Sequence, residues 1–167
     1  MKSHFDSEVL EILENAIQED EGIDHALYER VVVFNCLGTQ FGLFSKDVYE
    51  ILRTRELMIY QVPRTRKGIL GMINLRGDII PVVSFRERYG DVHMELEPFS
   101  EMLENKKSNR IIIASANQIR FGLYVEQVVG LLHLAKEDFE TEYIPMIEFS
   151  TVYEGKPIYI LRLDELF

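Results

Sequence analysis

The chain has 167 residues, 47% of them hydrophobic, with 10 Phe, 8 Tyr, one cysteine and a net charge of −10. That composition suits one globular domain or two very small ones, and it excludes a disordered chain, an intramolecular disulfide and a cysteine-based zinc cage. Nine acids against Lys2 and Arg30 place −7 of the charge in residues 1–30, a balance that repels phosphate backbones and anionic lipid, so neither nucleic acid nor direct membrane binding is expected.

The first predicted element is a helix over residues 6–21. Val9, Leu10, Leu13, Ala16 and Ile17 form one apolar stripe and Gly22 stands where a helix is capped. Its polar face is acidic, which leaves two uses open: packing on the rest of the protein, or recruiting another one. Residues 1–29 are therefore set apart as an acidic helical extension. No basic region leads into a long apolar run, and no window of about 18 uncharged apolar residues occurs; a soluble, cytoplasmic protein is expected.

From residue 31 the chain reads as strands, and it reads itself twice. VVVFNCLGTQFGLFSKDVYEIL (31–52) aligns with IIIASANQIRFGLYVEQVVGLL (111–132) at an offset of 80, placing Phe41-Gly42-Leu43 on Phe121-Gly122-Leu123 and Val48 on Val128. A second echo sets GDIIPVVSFRERY (77–89) over GKPIYILRLDELF (155–167) at an offset of 78. Two copies are too few for a solenoid. A pseudo-symmetric pair of small β-barrels, roughly 30–90 and 110–167, is the expectation, since barrel closure removes exposed sheet edges.

Turns are predicted at Leu37-Gly38-Thr39, Arg76-Gly77-Asp78, Ala116-Asn117-Gln118 and Glu154-Gly155-Lys156. Met72–Leu75 and Ile79–Val82 fit the two strands of a hairpin whose tip is Arg76-Gly77-Asp78, and Pro81 suggests an edge strand or a bulge because it cannot donate to a ladder. Short helical turns are expected at Ser84–Tyr89, where Ser84 and Glu87 have capping-box spacing, and at Leu163–Phe167. The polar stretch 91–110 reads as the connection between halves. Gly42, Gly71 and Gly122 read as bulges or close backbone approaches.

GMINLRGDIIPVV (71–83) resembles the G-x-x-N-L-R-G-x-x-x-P-V segment of the CheW-like domain family. The resemblance extends over residues 31–167, through Phe41-Gly42-Leu43 before Val48-Tyr49-Glu50-Ile51, its echo before Val125-Glu126-Gln127-Val128, and the closing Ile160-Leu161-Arg162-Leu163-Asp164-Glu165-Leu166. Departures are Ser84-Phe85, where the family usually has Asp-Leu, and Glu126, where it has Asp. The resemblance implies a mainly β fold of two intertwined five-stranded SH3-like barrels with short helices and no active site or cofactor. It further implies an adaptor coupling transmembrane chemoreceptors to the regulatory domain of the histidine kinase CheA, held at the inner membrane face through the receptors. On that basis Val48, Asn74, Arg76, Ile111 and Val128 are expected to meet the cytoplasmic tip of methyl-accepting receptors, and Leu43, Phe44, Ser45 and Glu50 the kinase. Glu50 is expected on the strand face of Val48.

Other readings stay open: a CheW-like protein that occupies receptor arrays or serves a non-motility pathway, and a barrel that binds a small ligand or a nucleic-acid strand. His4, His25, His93 and His133 show no metal-ligand spacing, and no nucleophile-elbow, phosphate-loop or dinucleotide motif occurs. Cys36 alternates with Val32 and Phe34 and has Ala116 as its counterpart, which marks a packed position.

Overall fold

A computed structural model describes residues 25–63, 67–93 and 107–166; the expected helix at 6–21 lies outside them. The strands are β1 (Tyr28–Cys36), β2 (Thr39–Phe44), β3 (Val48–Arg53), β4 (Ile69–Leu75), β5 (Asp78–Ser84), β6 (Arg110–Ala116), β7 (Ile119–Val125), β8 (Gln127–Ala135), β9 (Glu140–Thr141), β10 (Ile147–Tyr153) and β11 (Lys156–Leu161), with one helix, α1 (Phe85–His93), among the described residues. One sheet runs β8-β1-β2-β11-β10-β9 and the other β3-β6-β7-β5-β4.

These orders show how the two copies interlock. Hairpin β1–β2 of the first copy sits among the strands of the second, while β6–β7 of the second sits among those of the first. Each exchange obeys the sequence offset. Val48 lies opposite Ala114 as Phe34 lies opposite Val128, and Val82 lies opposite Gly122 as Ile160 lies opposite Gly42. The glycines are required by that approach: a Cβ on Gly122 would stand 2.8 Å from Ile111 and 3.3 Å from Val82, and one on Gly42 would stand 2.5 Å from Val31 and 3.1 Å from Ile160.

Interlocking buries both faces of the exchanged hairpins. Val32, Phe34, Phe41 and Leu43 meet Ile112, Ala114, Phe121 and Leu123 in the core between the sheets, joined by Phe85 of α1. The alternate residues turn the other way, Ile111 and Ile113 with Ile73, Ile80 and Val82, and Val31 and Val33 with Ile158 and Ile160. Burial on both faces is why these strands are near-continuous apolar runs instead of alternating ones. Each fully buried Phe or Ile contributes about 1.5–3 kcal/mol through the surface it removes from water.

Strand number and edges depart from the expectation. The first sheet has six strands, because the two-residue β9 adds an edge; its counterpart in the first copy is a single Tyr60–Met72 bridge. Neither sheet is closed by a ladder between its first and last strands among the described residues. Nor is β5 an edge strand, as Pro81 suggested, since it lies between β7 and β4. Both backbone groups of Met72 bond Tyr60, at 2.8 Å each, so the Met72–Pro81 pair exchanges no hydrogen bonds. The side of Pro81 that lacks a donor therefore points toward β7, just before that ladder begins at Val82.

All four expected turns form, each with two consecutive residues at positive φ: Leu37 and Gly38, Arg76 and Gly77, Asn117 and Gln118, Glu154 and Gly155. Two-residue loops of this kind match the strand twist. Ser84 caps α1 as its spacing required, its Oγ accepting the Glu87 N–H at 3.2 Å, and α1 runs on to His93. The closing turn forms at Leu163–Glu165.

That closing turn latches the two copies together. Arg88 of α1 donates to the carbonyls of Leu166 and Glu165 at 3.1 and 3.2 Å, while a Glu165 carboxylate oxygen accepts the Met146 N–H at 2.5 Å. Met146 is buried and held at a φ of 68°, so the carboxylate satisfies a backbone donor that strain has fixed in place. This hydrogen bond first, and Arg162 second, hold the Glu165 carboxyl below its ordinary value of 4.5. A depressed folded-state pKa contributes stability that is complete above the ordinary value and is lost as pH falls through the folded one. We expect Glu165→Gln to flatten the acid limb of a stability-versus-pH curve below about pH 4.5, measured by urea unfolding; an unchanged limb would remove Glu165 from the latch.

Candidate functional site

The site grows from the β4–β5 hairpin. Arg76 and Gly77 form its two-residue tip at φ 51° and 92°, and the Asn74 Oδ1 accepts the Gly77 N–H at 2.9 Å. An arginine in the left-handed region costs about 1–2 kcal/mol; Asn74 offsets part of this by fixing the turn. The tip directs Arg76 back over the sheet onto Glu50 of β3. One guanidinium nitrogen donates to Glu50 Oε1 at 3.1 Å and a second donates to Oε2, a bidentate pair. The Glu50 side chain is 11% exposed and that of Arg76 36%. The carboxylate thus lies beneath and the cation faces outward. Its hydrogen bonds and charge raise the Arg76 pKa further above the ordinary guanidinium value.

A bulge puts Glu50 there. Val48 pairs with Ala114 but Glu50 pairs with Ile113, leaving Tyr49 as the extra residue. Val48 and Ile51 consequently share the core between the sheets, while Leu52 faces the interior of its own sheet. Glu50, two residues before Leu52, falls on that side. The expectation that Val48 and Glu50 share a face is corrected, because the bulge breaks the period of two. Tyr49 is turned out to solvent, where the Arg120 guanidinium lies 4.5 Å from its ring centroid and 4.0 Å from Asp78. Exposed Ile79 and Ile119, each three residues before the Val82–Gly122 pair on parallel neighbours, extend the patch. Sequence reasoning missed Tyr49, Ile79, Ile119 and Arg120; alternation alone would have placed Ile79 outside, but no local signal marks the bulge.

The other expected residues divide by burial. Val48 and Val128 occupy equivalent half-buried positions against the central core. Ile111 is 0% exposed and Leu43 1%, so both are packing residues and present no surface to a partner. Phe44 is half-buried in the first sheet's satellite core, its ring 6.1 Å from those of Phe139 and Phe149 with Lys46 5.4 Å above it. Ser45 opens the 3₁₀ turn that follows. Phe44 thus lies in the other sheet from Glu50, whose carboxylate is joined to Arg76.

Among the described residues no three His, Cys, Asp or Glu side chains gather as a metal site. Cys36 is fully buried, and burial first, then the Glu126 carboxylate 3.9 Å away, pushes its thiol well above the ordinary range. Such a thiol is a packing group and a poor nucleophile. Among the described residues no helix is long and apolar enough to cross a membrane.

An interlocked duplicate of strands with a charged and apolar surface patch defines a protein-interaction module. Residues 30–167 match the CheW-like domain family. The chain is 24% identical over 131 residues to the chemotaxis protein CheW of Thermotoga maritima, covering 78% of this chain and 73% of the relative. It is 26% identical over 113 residues to that of Rhizobium meliloti, covering 64% and 67%. Among solved structures, the scaffolding protein TtCheW from Thermoanaerobacter tengcongensis superposes with a TM-score of 0.70 at 27% identity, over 81% of this chain and 90% of that one. This chain belongs to the CheW-like domain family.

Proposed function

We propose that this protein is a chemotaxis adaptor without chemistry of its own, coupling transmembrane chemoreceptors to the histidine kinase CheA from the cytoplasmic face of the membrane. The observation that carries the reading is the match to the family over residues 30–167, joined to a surface in which Arg76 is braced by Glu50 and left facing outward. Asn74 and Arg76, with Val48 and Val128, form the receptor side; Phe44 at the end of β2 and Ser45 in the turn after it form the kinase side; Glu50 positions Arg76. Two separate surfaces on one interlocked body transmit coupling by holding two partners whose own equilibria shift, without a large change in the adaptor. The test is co-precipitation of a CheA regulatory domain and a receptor-tip fragment by this chain, alone and together. Both are expected to be retained at once; retention of only one at a time would end the coupling reading.

A further inference from the structure

We propose that the outer part of β9, β10 and β11 is a second docking surface, shaped for a basic, extended segment of a partner protein. An open cleft of about 430 Å³ lies there, lined by Asp138, Glu140, Glu142, Val152 and Pro157 among others. No described residue forms an ion pair with any of those three carboxylates; Glu142 accepts only the Ser150 hydroxyl, at 2.6 Å. The backbone beside the cleft is open as well. β9 pairs with β10 at Phe149 and Ser150 only; Thr151 is buried, and the exposed Val152 and Tyr153 continue with no described strand on their outer side. An extended chain adds to such an edge through its main chain and is selected by its alternate side chains. Here those side chains would meet unneutralised carboxylates and Val152 at 64% exposure. Lysine or arginine alternating with small apolar residues fits that surface.

Pseudo-symmetry supplies a second argument. The offset of 78 that carries β4–β5 onto β10–β11 carries Arg76 onto Glu154 and Asp78 onto Lys156, so the two hairpin tips have inverted charge on the same backbone. Each tip carries one cation and one anion in reversed order, so a partner that reads charge position distinguishes them. The proposal does not rest on the receptor and kinase assignments, although the surface borders Phe44 through Phe139 and Phe149.

The probe is a short peptide alternating lysine and valine, with its glutamate counterpart as control, added to the full chain and followed by backbone amide shifts and fluorescence anisotropy. The lysine peptide is expected to bind with shifts centred on Thr151–Tyr153, the glutamate peptide not at all. Asp138→Lys combined with Glu140→Lys changes two exposed side chains and is expected to weaken binding about tenfold, while Arg76→Ala leaves it unaltered. Shifts scattered over other acidic segments, no binding, or equal binding by the double variant would overturn the proposal.

Discussion

Replacing Gly71 with alanine is expected to destabilise the protein by about 3 kcal/mol, close to the upper range for a single methyl group. Gly71 sits at a φ of 149°, a conformation that side chains rarely adopt, at the bulge where β4 shifts register against β5. A Cβ there would press on the Tyr60 carbonyl, with the carbonyl carbon at 2.8 Å and Gln61 Cα at 3.1 Å. The neighbours are backbone and cannot swing aside. Relief would break both Met72–Tyr60 hydrogen bonds, the sole described pairing of β4 on its outer side. Urea unfolding checks this; a loss under about 1 kcal/mol would mean that the 60–63 segment yields freely. Because β4 carries the Arg76 tip, partner binding should fall in proportion to unfolding and recover at lower temperature.

Arg76→Ala has the opposite profile. Receptor-dependent stimulation of the kinase is expected to fall to background while the protein remains folded, with a loss of stability because the Glu50 carboxylate beneath loses its partner. Charge reversal alone is a harsher test, since Arg76→Glu would set a second carboxylate against Glu50. The informative variant is the exchange, Arg76→Glu with Glu50→Arg, which rebuilds the internal pair with its charges swapped. If Arg76 meets the receptor directly, the exchanged protein remains folded and inactive. Recovery of stimulation by the exchange would mean that the pair acts only by bracing β3 against the hairpin, and the receptor assignment of Arg76 would fall. Measurement in a reconstituted array, with circular dichroism melts alongside, separates the outcomes.

The same residues mark where sequence reasoning stops. Gly77 and its counterparts announced the hairpin tips, and Ser84 with Glu87 announced the helix cap, because each involves backbone groups within about four residues. The duplication was legible for a related reason: equivalent strands bury equivalent side chains, so the offset of 80 reappears in the ladder pairs Val48–Ala114 and Phe34–Val128, and the offset of 78 joins it in Val82–Gly122 and Ile160–Gly42. Ile111 and Leu43 were assigned to surfaces through family resemblance, although the unbroken run Ile111–Ala114 already carried the mark of a strand covered on both faces. Glu50 could not be placed by alternation, since the extra residue at Tyr49 shows only when β3 is laid against β6.

Sequence by itself determined the strand module, its repetition, its turns and the outward charge at Arg76, all consequences of side-chain type and short-range backbone geometry. Tertiary structure alone decided which hairpins are exchanged between copies, that Glu50 lies under Arg76, and that Asp138, Glu140 and Glu142 gather beside β10. Those outcomes depend on which apolar faces cover one another across roughly eighty residues of chain, and no local preference encodes that choice.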